Sequence, residues 1–161
     1  MVTHWNNPAI YSPTLTPLTN ASGWATVGDE NITLVEVRDN TRETVDAWID
    51  LSMRLRGDCD PDGCLLVVAD MSGIDYAFSP YLMKRGAQMM EFRREIPTYI
   101  GWVINDNFVG RMIEALLQRG TVGNAEFFIT HSRANAFDWV RAKYDMFQQE
   151  QQQTRKRRRI I

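Results

Sequence analysis

Cys64–Asp70 reads CLLVVAD, and Tyr99–Ile104 reads YIGWVI. Neither run alternates with polar residues. Apolar segments of this length suit strands buried on both faces, the usual state of a parallel sheet covered by helices on each side. That cover must come from helices, from the N-terminal segment or from a second subunit, so a homodimer is among the expectations.

The segment leading into the first run, Arg56–Gly63, reads RGDCDPDG. Asp58, Asp60, Asp62 and Gly63 match the first half of a calcium loop, in which alternating oxygens wrap the ion and glycine permits the bend. The second half does not follow. The position of the bidentate glutamate is Ala69, inside the apolar run, so the three aspartates are weak metal candidates and Pro61-Asp62-Gly63 reads as a turn. Cys59 and Cys64, without histidine or further cysteine nearby, do not make a zinc site. They read as thiols, Cys64 serving as a small hydrophobe.

Working outward, Val45, Trp48, Ile49, Ser52 and Leu55 fall on one helical stripe, with Thr41 or Thr44 as cap and Gly57 as stop. Before it, a hairpin turns at Gly28–Asn31. After CLLVVAD, Ser79 and Pro80 open a helix. TYIGWVIND (98–106) is a strand, NFVGRMIEALLQRG (107–120) a helix, AEFFIT (125–130) a strand, and SRANAFDWVRAKYDMFQQ (132–149) a helix capped by Ser132. The order ββαβαβαβα predicts a single α/β domain. Its sheet is five-stranded and mostly parallel, with an antiparallel N-terminal hairpin strand and four helices. The reading sets residues 1–22 as an irregular arm, 23–148 as the domain, and 149–161 as a Gln-rich, polybasic flexible tail.

The 161 residues carry a net charge of −2. Arg155, Lys156, Arg157, Arg158 and Arg159 hold five of the 18 basic residues, leaving 13 against 20 acidic ones and a body at −7. Weak, non-specific contact with nucleic acid or anionic membrane is therefore expected of the tail alone. No apolar stretch approaches the ~20 residues of a transmembrane helix. The first residues lack the basic and apolar regions of a signal peptide, so a cytoplasmic protein is expected.

Two stretches, LLVVADMSGIDYAFSPYL (65–82) and FFITHSRANAFDWV (127–140), resemble segments of the STAS and SpoIIAA-like group, the anti-sigma-factor-antagonist fold. The first looks like that group's strand, Asp, small turn and helix start. In the second, Ala136, Trp139 and Val140 fall on its usual Ala, Trp and aliphatic positions. The likeness spans about Trp24 to Gln148 and implies a regulatory or protein-interaction module without catalysis or cofactor. Its Asp-Ser-Ser-Gly phosphorylation stretch would fall on Phe78, Ser79, Pro80 and Tyr81, so the phosphoacceptor serine is replaced by proline. Ser79 remains, in the position of a helix cap.

In parallel sheets ligands gather beyond the carboxyl ends of strands. There the sequence offers Asp70, Ser72, Asp75, Ser79, Asn105, Asp106 and His131 as candidates for binding a partner or ligand. Asp39 and Asn40 join them. The Asp, Asn and Ser residues among them are also preferred caps for the helices that follow. No glycine-rich phosphate loop, GxSxG or HExxH is present, and Lys84, Lys143 and Lys156 do not stand where a receiver domain needs its lysine. The leading expectation is a module that binds an unidentified protein partner. A carrier of a small apolar or nucleotide ligand, by analogy with the Sec14-like fold, is the alternative; Met83, Met89, Met90 and Phe92 would serve either as core or as such a surface. An enzyme using Asp70 and His131 is the third reading.

Overall fold

A computed structural model describes residues 8–74, 79–107, 111 and 123–158. After a 3-10 turn at Pro8–Tyr11, strands β1 (Thr16–Thr19), β2 (Ser22–Val27) and β3 (Ile32–Val37) form a meander. Helix α1 (Arg42–Asp58), β4 (Leu65–Asp70), α2 (Pro80–Glu91), β5 (Thr98–Val103), β6 (Ala125–Thr130) and α3 (Arg133–Arg158) follow. The six strands lie in sequence order in one sheet. The pairs β1–β2 and β2–β3 are antiparallel, and β3 through β6 are parallel.

All six residues of β4 are buried. Because side chains alternate across a strand, Val35, Val67, Ala69, Ile100 and Trp102 meet α1 and α2 on one face. There Trp48 stands edge-on to Trp102, with ring centroids 6.5 Å apart. Ile32, Leu34, Leu66, Val68 and Val103 meet Ala136, Phe137 and Val140 of α3 on the other. The chain's own helices thus supply the cover these strands demand, without a second copy.

Local chemistry fixes the ends of the elements. Thr41 Oγ1 accepts from the Thr44 N–H and Ser79 Oγ from the Leu82 N–H, capping α1 and α2. Gly28 and Asn31 take positive φ in the β2–β3 turn, at 73° and 57°.

Three differences from the sequence reading stand out. The sheet has six strands rather than five, because Thr16–Thr19, within the expected irregular arm, pairs with β2 as an edge strand. Pro17 is tolerated there since an edge strand can leave one side of its backbone unpaired. Next, α3 runs to Arg158, past the expected domain end at 148. Gln, Glu, Lys and Arg are good helix formers, and cations at a helix carboxyl end oppose its negative dipole end. Last, the helix expected over 107–120 lies outside the described residues except at its start, where the Arg111 N–H donates to the Asn107 carbonyl; three α-helices are found among the described residues. No helix among them is long and apolar enough to cross a membrane.

Candidate functional site

Parallel pairing of β3 with β4 sets Glu36 opposite Asp70 at the carboxyl end of the sheet. Both lie two residues beyond side chains that meet α3, so both carboxylates rise on that face. Two like charges so placed need a cation. It comes from the first turn of α3, where Arg133 Nη2 lies 2.6 Å from both Glu36 Oε2 and Asp70 Oδ2. Its Nε donates to Asp70 Oδ2 at 2.8 Å and its Nη1 to the Tyr11 carbonyl at 2.9 Å. Asp70 Oδ1 accepts from the Ser72 backbone N–H and hydroxyl at 3.0 and 2.6 Å. Arg38 Nε donates to the remaining Glu36 oxygen at 2.7 Å.

The electrostatics follow from this geometry. Burial works to raise the Glu36 pKa, but Arg133 and Arg38 outweigh it and hold the carboxyl below its ordinary range. Burial likewise works to lower Arg133, and Glu36 and Asp70 more than reverse it. Asp70, 5% exposed, has both oxygens committed. The arrangement can pin α3 and the Tyr11 segment to the sheet.

Sequence reasoning passed over Arg133. A signal existed, since a cation in the first turn of a helix faces the positive end of the dipole and needs a local anion to offset it.

A second group forms at the ends of β5 and β6. His131 Nδ1 is 2.8 Å from the Ile104 carbonyl. A carbonyl can only accept, so Nδ1 carries the hydrogen and Nε2 faces Asp106 Oδ1 at 3.9 Å. Both side chains are exposed. Asn105 Nδ2 donates to the Ile74 carbonyl at 3.4 Å. Neither hydrogen bond nor ion pair joins Asp70 to His131; their partners separate the expected cluster into two. Ser79 is engaged as the α2 cap, and Asp75 lies outside the described residues.

At the opposite end of the strands, the aspartate-rich segment is a turn. Asp60 Oδ1 accepts from the Asp62 N–H and the Asp60 carbonyl from the Gly63 N–H, both at 2.8 Å, while Asp58 ends α1. No group of three or more His, Cys, Asp or Glu able to hold a metal occurs among the described residues. Between this turn and α3 lies a groove of about 420 Å³, bordered by Glu30, Asp60, Asp62, Tyr144, Phe147 and Arg155. Cys59 and Cys64 also border it, as free thiols. Burial pushes the Cys64 thiol up to about 12, with Cys59 beside it adding to the shift. Lys156, Arg157 and Arg158 are exposed beyond the groove on the last turn of α3; Arg159 lies outside the described residues.

The chain matches no protein-family model, no curated protein and no solved structure.

Proposed function

We propose that the chain is a regulatory or protein-interaction module of STAS and SpoIIAA-like type, working without catalysis. One observation carries this reading: two of the polar side chains at the strand ends, Asp70 and Ser79, are spent on the fold. Asp70 is held by Ser72 and Arg133, and Ser79 caps α2. The helix layer meanwhile turns apolar groups outward, with Met83 54% and Phe92 38% exposed. Exposed apolar side chains on a rigid helix suit a protein partner better than a reaction. The resemblance of residues 65–82 and 127–140 to the STAS group supports the same reading by analogy of fold.

Affinity capture from the native cell should return a partner that binds the wild type and not the Met83→Glu protein. A monomer that retains no partner under those conditions would count decisively against the proposal. A second reading, carriage of a small ligand, is favoured by one feature only. The groove beside Arg155 has a volume within the range of ligand sites. Its border, with Glu30, Asp60, Asp62 and Arg155, suits a polar ligand better than a lipid. Native mass spectrometry after gentle purification would reveal a retained molecule.

A further inference from the structure

α3 runs for 26 residues, Arg133–Arg158, or about 39 Å at a rise of about 1.5 Å per residue. Its last buried side chain is Phe147. Residues 152–158 are all exposed, so about 10 Å of helix continues past the layers that α3 covers. Packing does not account for this extension. Nor does an amphipathic pattern, because residues 148–158 are only Gln, Glu, Thr, Lys and Arg.

Its cations differ from those of the body. Arg85, Arg93, Arg133, Arg141 and Lys143 each meet a carboxylate. Arg155, Lys156, Arg157 and Arg158 make no ion pair among the described residues. No carboxylate stands between Gln151 and Arg158. A helix dipole favours a cation in the last turn, but four in succession repel one another, Arg155 and Arg158 along one face. Uncompensated cations displayed on a regular helix fit an anionic partner that brings the missing charge.

Helical geometry narrows that polyanion. At about 100° per residue, four successive side chains point to all sides of the helix. A membrane surface meets one side only and holds a helix best by an apolar face, which residues 148–158 lack. Single-stranded nucleic acid is held by stacking on aromatic rings, and none occurs there. The major groove of double-helical DNA admits an α-helix between two walls of phosphate, whereas that of A-form RNA is too narrow. Arg155 borders the groove shared with Asp60 and Asp62, so Lys156, Arg157 and Arg158 are the cations furthest from acidic neighbours.

We propose that the carboxyl end of α3 binds double-helical DNA, its cations contacting phosphates on both walls of the major groove without reading sequence. The rest of the chain, with 13 basic against 20 acidic residues, repels the duplex and confines contact to this helix end. The proposal is independent of the protein-interaction reading.

Fluorescence anisotropy of a short labelled DNA duplex, titrated with the full chain, tests it. Four phosphate contacts predict that affinity falls roughly a hundredfold between about 50 and about 200 mM sodium chloride. The variant carrying Lys156→Gln, Arg157→Gln and Arg158→Gln keeps good helix formers. It should bind at least about tenfold more weakly at low salt and lose most of that salt dependence. Thr154→Pro breaks the helix ahead of the cations without removing any, and should weaken binding several-fold. Full affinity in either variant would overturn the proposal. So would binding to single-stranded DNA, or to phosphatidylserine–phosphatidylcholine vesicles, that equals or exceeds binding to the duplex at the same salt.

Discussion

Arg56 and Arg93 close each other's helices. Arg93 Nη1 donates to the carbonyls of Arg56, Gly57 and Cys59 at 3.0, 2.8 and 3.0 Å, where α1 ends. Arg56 Nη1 donates to the carbonyls of Met89, Met90 and Phe92 at 3.3, 3.3 and 3.2 Å, where α2 ends. Each guanidinium meets the negative end of a helix dipole, where the last carbonyls lie beyond the regular helix ladder.

This exchange makes α1 and α2 interdependent. Arg93→Ala should lower the unfolding free energy by about 1–3 kcal/mol and Arg56→Met by about 2–5 kcal/mol, since the latter strands buried carbonyls. Arg93 itself sits at φ 46°, a region that side chains resist and glycine accepts. Arg93→Gly should therefore be less damaging than Arg93→Ala, although both lose the cap. Urea unfolding of the three variants measures the order.

Removing the cation between Glu36 and Asp70 should cost more than removing a surface pair. Arg133→Met leaves the almost fully buried Asp70 without a cation and Glu36 with Arg38 alone, and should cost about 3–5 kcal/mol. Adding Glu36→Gln and Asp70→Asn to that variant should recover part of the loss, because the charges that needed Arg133 are gone. Denaturant midpoints that simply add across the three changes would show that the groups do not act together.

The same network predicts sensitivity to acid. Glu36 has a folded pKa below its unfolded value, so it binds protons more readily when unfolded. Its contribution is fully present above the unfolded value, about 4.3, and is lost as pH falls through the folded one. Urea midpoints followed from pH 7 to pH 2 should fall in that window, and the fall should be shallower for Glu36→Gln.

Thiol chemistry should separate native from unfolded protein. Burial raises the pKa of Cys59 as well as that of Cys64, so the reactive thiolate of each is scarce at neutral pH. Iodoacetamide at pH 8 should leave Cys64 unmodified in the native protein and alkylate both residues in urea, as read by mass spectrometry.

Close approach of α3 to the sheet rests on the absence of a side chain. A Cβ added at Gly101 would stand 2.9 Å from Ala136 Cβ and 3.1 Å from its carbonyl oxygen. Gly101→Ala should therefore push the helix outward and cost about 1–3 kcal/mol by overpacking. Ala136→Gly in the same chain should relieve part of the clash, the backbone contact remaining, less the cost of glycine inside a helix, and calorimetry of the pair tests this.

Much of this architecture is readable in the chain because its causes are local. CLLVVAD and YIGWVI carry their burial in their composition, Thr41 and Ser79 announce helix starts, and Pro61-Asp62-Gly63 announces a turn. The edge strand at Thr16–Thr19 is not readable, because its two outer residues are exposed and its pairing with β2 supplies the order. The strand-end residues were legible as a polar set but not as two groups with different partners. Their division depends on Arg133, which bonds Asp70 across 63 positions and Glu36 across 97. Propensity and burial act over a few residues and so are written in sequence. Which carboxylate meets which guanidinium depends on strand register and helix packing, and only the folded chain decides it.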